Sequence, residues 1–339
     1  MVSETNTQLR LARRPQGEAQ AEDFELTHDP VPEPVDGEVL VRSHYLSIDP
    51  SSRTHWNEGS SYRAMVAIGQ VIDVGVAGEV VASKHPEFAP GDLVVGSMGT
   101  QAYGVVKGEA LTKCDLDVAP HTSWLGGLGI TGLTAYFGLL DVGDPKPGET
   151  VVVTAASGAV GMVAGQIARI KGARAVGIAG SDEKCRFLID ELGFDAAVNY
   201  RSHELYRDLK AATPNRIDVI FDNVGGPLLD TLIRRLALRA RIIVCGATSQ
   251  YNSDKIYGPS NYLALATMRA KMEGFIIFDY ADQYESARRE MAGWLKDGSL
   301  KLKEHIIDGE VGDYPRVLHR LYEGENVGKT LMRLPAAPG

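Results

Sequence analysis

Two short stretches of this sequence hold residue types that chemistry needs at spacings that matter. The first is Ala156-Ser157-Gly158-Ala159-Val160-Gly161, which follows an apolar run at 150–155 and opens a helical stripe of Val160, Val163, Ile167 and Ile170. It is a Gly-x-Gly-x-x-Gly fingerprint with alanine in the first place. Gly158 lets the backbone approach a pyrophosphate, and Gly161 lets the helix pack closely on its strand. The N–H groups and the positive dipole end of the helix then face the phosphates. The strand–turn–helix setting separates such a site from a chance glycine-rich turn.

The second stretch is Ile178-Ala179-Gly180-Ser181-Asp182-Glu183-Lys184. A site for NAD holds the ribose 2′-hydroxyl with an acid at the end of the second strand. Here no acid stands before Asp182, and Lys184 lies one turn into the next helix. A 2′-phosphate calls for cations and hydroxyls instead, so the expected cofactor is NADPH. The competing reading of Lys184 is a solvated helix residue.

The elements around these stretches change character along the chain. The first third alternates with period two, as in Val39, Val41, Ser43 and Tyr45. Residues 71–74 and 79–82 flank Gly75 and Gly78 as a turn, and Pro90-Gly91-Asp92 leads into a strand at 93–96. Short strands between Gly and Pro predict a compact β-barrel. From Pro147-Gly148 onward, strands at 150–155, 175–179, 196–199, 217–222, 241–245 and 273–278 alternate with helices, one of them at 228–238. That pattern predicts a doubly wound parallel sheet. The tail, 300–334, returns to short strands around a helix bearing Tyr314, Val317, Leu318 and Leu321. Residues 118–140 are uncharged but rich in Gly and Thr, which suits a buried connector better than a membrane span.

Bulk properties narrow the function classes. The 339 residues exceed a comfortable single domain, and 44% hydrophobic with 23% charged content fits a soluble globular protein. A net charge of −9 argues against nucleic-acid and anionic-membrane partners. Cys114, Cys185 and Cys245 are far apart and make neither a disulfide framework nor a Cys-x-x-Cys metal pair. A reducing cytoplasm is the expected compartment.

Longer motifs then resemble a known family. Gly132-Leu133-Thr134-Ala135-Tyr136-Phe137-Gly138-Leu139-Leu140, the 156–161 turn, Gly180-Ser181-Asp182-Glu183-Lys184, Asp222-Asn223-Val224-Gly225-Gly226 and Gly328-Lys329-Thr330 are similar to the NADPH-dependent double-bond reductases. These are the leukotriene B4 dehydrogenase/prostaglandin reductase branch of the medium-chain dehydrogenase/reductases. Ile68-Gly69-Gln70-Val71, Glu79-Val80-Val81-Ala82-Ser83 and Met272-Glu273-Gly274 draw it toward bacterial curcumin-reductase-like members. The resemblance implies a GroES-like β-barrel catalytic domain at 1–127, a Rossmann NADPH-binding domain at 128–305 and a return to the catalytic domain at 306–339.

The same resemblance places cofactor contacts. The pyrophosphate falls to Gly158, Ala159, Val160 and Gly161, and the 2′-phosphate to Lys184 and Tyr200. Asn223 faces the cofactor, and Cys245, Gly246, Ala247, Thr248, Ser249 and Tyr251 run beside it. Phe275, Ile276 and Ile277 flank the nicotinamide, and Asn326 returns from the tail. Plainer readings compete: Cys245 as a small buried hydrophobe, Phe275 as core, Tyr200 as a strand end. Asn223 stands apart, since a polar amide after an apolar strand needs a partner.

The zinc-dependent relatives carry Cys and His ligands, a Gly-His-Glu motif and a four-cysteine lobe, none of which this sequence has, and its eight histidines are scattered. The expected mechanism is therefore metal-free, with hydroxyl donors polarising the substrate. Where the family often reads Asp-Pro-Tyr/Phe-Met-Arg, this chain has Asp49-Pro50-Ser51-Ser52-Arg53. Tyr62 stands where curcumin-reductase-like members also carry a tyrosine, and Thr267 where the prostaglandin reductases have one. Ser51 and Tyr62 are thus the candidate substrate-side residues, with a surface-loop role competing for Tyr62. The expected reaction is hydride delivery to the β-carbon of an α,β-unsaturated ketone or aldehyde. Quinone reduction, reduction of a biosynthetic intermediate and a non-catalytic NADPH-sensing role stay open. A homodimer is expected, on the resemblance and on an apolar sixth strand at the sheet edge.

Overall fold

The computed structural model describes residues 5–58, 63–253 and 255–336. Its contacts divide the chain into two units, Met1–Gly126 with Glu304–Gly339, and Gly127–Lys303.

In the second unit the apolar runs become six strands: β1 (Thr150–Val153), β2 (Arg174–Ala179), β3 (Ala196–Asn199), β4 (Ile217–Asp222), β5 (Leu236–Val244) and β6 (Lys271–Gly274). Their order is β3-β2-β1-β4-β5-β6, and every pairing is parallel. This is the doubly wound Rossmann arrangement, whose order reverses direction between β1 and β4. Val151, Val152 and Val153 are fully buried, as a strand covered on both faces demands. Helices α1 (Ala159–Ile170), α2 (Asp182–Arg186), α3 (Leu205–Ala212) and α4 (Gly226–Ile233) alternate with the strands. The stripe on α1 buries Val163 and Ile167 completely.

The first unit is β-rich. Strands Glu304–Asp308, Lys329–Arg333, Glu38–Ser47, Gly75–Ser83, Leu93–Ser97 and Thr112–Lys113 follow one another in a sheet, and Tyr103–Lys107 also pairs with Glu38–Ser47. A separate hairpin joins Thr5–Leu11 to Phe24–Pro30. The tail strand Lys329–Arg333 therefore lies between Glu304–Asp308 and Glu38–Ser47. The tail helix, Tyr314–Tyr322, buries Tyr314, Val317 and Leu318 in the core with Trp56 and Ile72.

Several expected boundaries are corrected. Gly75 and Gly78 lie within the strand Gly75–Ser83 rather than in a turn, beside a register shift between Ser43 and Tyr45. Such a bulge is a regular place for glycine inside a strand. Residues 71–74 form only a single bridge, Arg10 with Val71. The helix expected at 228–238 stops at Ile233, because Leu236 pairs with Ile217 to begin β5. The sixth strand ends at Gly274, and Ile277–Gln283 forms a 3-10 turn. The apolar residues after Gly274 leave the sheet to fill space: Ile277 packs with Leu133 and Phe137. Consequently β6 is Lys271-Met272-Glu273-Gly274, with Lys271 paired to Glu273 at 2.9 Å, and its edge is charged rather than apolar. The 118–140 stretch supplies helices His121–Leu125 and Ile130–Phe137, and no helix among the described residues is long and apolar enough to cross a membrane.

Candidate active site

The turn after β1 sets the phosphate end. Ala155 takes a left-handed backbone (φ 48°), which an L-residue adopts only at a cost of about 1–2 kcal/mol. Gly158 then caps α1, and its carbonyl accepts from Met162 N at 3.0 Å. A Cβ on Gly161 would lie 2.4 Å from the Ala155 carbonyl oxygen and 2.7 Å from Ala156 Cα. Both are backbone atoms that cannot yield, so only glycine lets this helix meet its strand here. The N–H groups of Ala159, Val160 and Gly161 belong to the first turn, which has no acceptors within the helix. They point at whatever sits beyond the turn, with the dipole favouring an anion. These features fit a dinucleotide pyrophosphate.

The cations lie just past the ends of β2 and β3. The Ser181 hydroxyl caps α2 by accepting from Lys184 N at 3.2 Å. Burial, with help from the nearby Arg201 charge, holds the Lys184 ammonium below its ordinary pKa. The Tyr200 ring lies against Gly180, 3.1 Å from where a Cβ would stand. Arg201 sits over that ring, 5.6 Å from its centroid. Asp182, the first acid after β2, accepts from Asn199 Nδ2 at 2.8 Å. Arg201 was not among the residues expected here. Its signal in the sequence is a basic residue directly after the third strand, beside Tyr200.

The ends of β4 and β5 are laced together. The Thr154 hydroxyl donates to Asp222 Oδ1 at 2.8 Å and accepts from Asn223 N at 2.7 Å, while Asn223 Nδ2 donates to the Thr154 carbonyl at 2.8 Å. The partner that Asn223 needed is thus the β1 backbone. Burial pushes the Asp222 carboxyl up, although Gly225 N, Val224 N and Thr154 all donate to it. Cys245 N and Gly246 N donate to the Asp222 carbonyl, Thr248 N to that of Asn223 and Ser249 N to that of Val224. The Tyr251 hydroxyl accepts from Ala247 N at 3.2 Å. Desolvation beside Asp222 pushes the half-buried Cys245 thiol up to about 12, which disfavours the thiolate. After β6, the Phe275 ring rests on Gly138, where a Cβ would come within 2.5 Å, and beside Phe221. Ile276 is half-buried and Ile277 buried.

All of these residues follow the carboxyl ends of neighbouring parallel strands, which is where open α/β sheets bind ligands. Asn326 and Ser51 belong to the other unit. The Asn326 amide donates to the Gly328 carbonyl at 2.9 Å. Half-buried Ser51 rides on the 3-10 turn Pro50–Trp56, its carbonyl accepting from Thr54 Oγ1 at 2.7 Å. Tyr62 lies outside the described residues. Thr267 lies on the helix Leu263–Met268, its hydroxyl donating to the Ala264 carbonyl. The three cysteines are free thiols, and among the described residues no group of three or more His, Cys, Asp or Glu is placed to hold a metal.

Comparison with known proteins agrees with this architecture. Residues 7–114 match the family described as the N-terminal domain of oxidoreductase, and 159–293 the family described as zinc-binding dehydrogenase. The NADPH-dependent curcumin reductase of Escherichia coli is 41% identical over 336 residues, covering 97% of each chain. The NADP(+)-dependent 2-alkenal reductase of Nicotiana tabacum is 39% identical over 299 residues, 87% of each chain. The crystal structure of CurA in complex with NADPH from Vibrio vulnificus superposes with a TM-score of 0.91 at 40% identity, covering 98% of this chain and all of that one. With its parallel six-stranded sheet, its GroES-like unit and relatives about 40% identical over nearly their whole length, the chain belongs to the medium-chain dehydrogenase/reductase family of oxidoreductases.

Proposed function

We propose that this protein is an NADPH-dependent reductase that transfers hydride to the β-carbon of an α,β-unsaturated ketone or aldehyde. The relatives named above support the reaction class. The observation that carries the cofactor is the adjoining ends of β2 and β3, where Tyr200 lies against Gly180 with Arg201 over its ring, Lys184 opens the next helix, and no acid stands between β2 and Asp182. Bound there, the cofactor supplies the hydride.

The residues divide the remaining work. The first-turn N–H groups of Ala159, Val160 and Gly161 hold the pyrophosphate. Lys184, Tyr200 and Arg201 hold the 2′-phosphate, Arg201 joining the residues read from the sequence. Asn223, residues 245–249 and Tyr251 form a hydrogen-bonded rim that fixes the cofactor's orientation, and Asn326 adds a polar contact from the tail. Phe275 and Ile276 give the nicotinamide an apolar wall and exclude water, with Ile277 anchoring them from the core. Tyr62 donates a hydrogen bond to the substrate oxygen as negative charge gathers on it. Ser51 leaves room where an aromatic side chain would narrow the pocket, and water protonates the α-carbon.

NADPH oxidation measured with a panel of enones, enals and quinones tests this reading. Turnover with enones and enals is expected. Turnover confined to quinones, or tight NADPH binding without turnover of any acceptor, would overturn it.

The same reading includes a homodimer in a reducing cytoplasm. Support for the dimer lies in exposed apolar side chains of the second unit: Leu238, Tyr262 and Leu263 are 56%, 61% and 67% exposed. Light scattering that reports a monomer at micromolar concentration would reject it.

A further inference from the structure

The most deeply buried cation among the described residues is Lys329, whose side chain is 1% exposed. It sits on the tail strand Lys329–Arg333, and its ammonium donates to Asp49 Oδ1 at 2.5 Å and to the Ile48 carbonyl at 3.1 Å. Asp49 immediately precedes the turn Pro50–Trp56 that carries Ser51, and it also accepts from the Ser47 hydroxyl.

Lys329 is one of three tail residues on this turn. The hydroxyl of Tyr314, a fully buried side chain, donates to Ser52 Oγ at 3.2 Å. The Tyr322 hydroxyl donates to the Pro50 carbonyl at 2.6 Å. From the other side, Arg53 donates to the Pro15 and Gly17 carbonyls. Pro50 and Ser52 are thus held by contacts from residues more than 250 positions away, while the Ser51 side chain between them stays half-buried.

Stability alone does not account for an ammonium at this place. Desolvating an ion pair costs about as much as the attraction returns, and a well-packed apolar pair is often as stable or more so. What an ion pair adds over an apolar contact is direction: Lys329 fixes where Asp49 points and where the next residues begin. We infer that Lys329, acting through Asp49, is a positioning residue that sets the turn bearing Ser51 and so governs substrate turnover and substrate size preference. This rests on Ser51 lining the substrate site, as proposed above.

The test uses full-length protein loaded with NADPH. Lys329→Met paired with Asp49→Asn removes both charges and leaves no buried ion unpaired, so the protein is expected to fold, with a melting temperature a few degrees below wild type because the Ile48 carbonyl loses its donor. The dissociation constant for NADPH, read from nicotinamide fluorescence, is expected not to move. kcat/KM for enones is expected to fall about 10- to 100-fold, the scale of a misplacement near 1 Å. The ranking of small against bulky enones should change with it. Wild-type kinetics and ranking in the double variant would make the pair merely structural and overturn the inference. Tyr322→Phe deletes one hydrogen bond to Pro50 at a half-buried position and gives a second reading if the double variant does not fold. It should shift the enone ranking in the same direction, and an unshifted ranking overturns the inference too. Ser51→Tyr separates the two levels. If it leaves the ranking unchanged, the placement of Ser51 fails and the inference falls with it. If it alters the ranking while the double variant does not, only the role of Lys329 is lost.

Discussion

Asn223 donates its side-chain amide to the Thr154 carbonyl at 2.8 Å while its backbone N–H donates to the Thr154 hydroxyl at 2.7 Å. One residue at the end of β1 therefore governs both the side chain and the backbone of the residue that follows β4. The same hydroxyl donates to buried Asp222, which anchors the Gly225 turn and the start of the loop after β5. The rim of the proposed cofactor site is fixed from inside the sheet.

Thr154→Val keeps the shape of this fully buried residue and removes only the hydroxyl. Asn223 N then loses its acceptor and Asp222 loses a donor, each inside the protein. Such an unsatisfied group costs about 1–3 kcal/mol. Urea denaturation should show a loss of that size, together with weaker NADPH binding. A midpoint equal to wild type would mean the rim does not depend on Thr154.

Lys184 and Arg201 come from different elements, α2 and the residues after β3, and the Arg201 charge helps hold the Lys184 pKa down. Lys184→Ala should raise the KM for NADPH about 10- to 100-fold, the equivalent of one charge-assisted hydrogen bond, and leave NADH use nearly unchanged. Arg201→Ala should act in the same direction. An equal loss with both cofactors would show that neither side chain reads the 2′-phosphate.

The sequence revealed most where periodicity and turn chemistry coincide. The buried run at 150–153, the glycine pair Gly158 and Gly161 and the stripe on α1 each speak for the same strand–turn–helix unit, and the acid missing from the end of β2 is visible without coordinates. Arg201 escaped because its role depends on β3 lying beside β2, a pairing that composition does not express. Residues 275–278 misled because an apolar run reads alike whether it continues a strand or drops into core, and here Ile277 drops in against Leu133 and Phe137. The 228–238 boundary failed for a related reason: Leu236 has a helical spacing but a strand partner in Ile217. The partner of Asn223 was legible as a need, and only the fold shows that Thr154 meets it.

Acid should destabilise the first unit in a defined window. Burial holds His44, His55 and His121 neutral and lowers their pKa values, with Arg42 adding to the effect on His44 and Arg63 on His55. In the unfolded chain these imidazoles take up protons near the ordinary value of about 6.5. Between that value and the depressed folded values, the unfolded state binds more protons, so stability falls as pH falls. His319, drawn up by Glu18, contributes the opposite slope, but it is largely exposed and is one group against three. The melting temperature should drop between about pH 7 and pH 5, and His44→Gln should flatten that drop. A flat profile in the wild-type protein would show that these histidines are not held neutral.

The donor to the substrate oxygen is the most exacting test of the proposed reaction. If Tyr62 donates to the developing enolate, Tyr62→Phe should lower kcat/KM for enones about 10- to 1,000-fold, equivalent to about 1.4–4 kcal/mol of transition-state stabilisation. The loss should fall mainly on kcat, because the bond strengthens as charge forms on the oxygen rather than when the ketone binds. NADPH affinity should hold, since the phosphate contacts proposed above come from the other unit. Ser51→Tyr supplies the complementary measurement: a phenol in place of a small hydroxyl should change which enones are accepted, whatever it does to the rate. If Tyr62→Phe reduces every enone at the wild-type rate, the phenol takes no part in the reaction, and the nicotinamide ribose hydroxyl or a bound water is left as the donor.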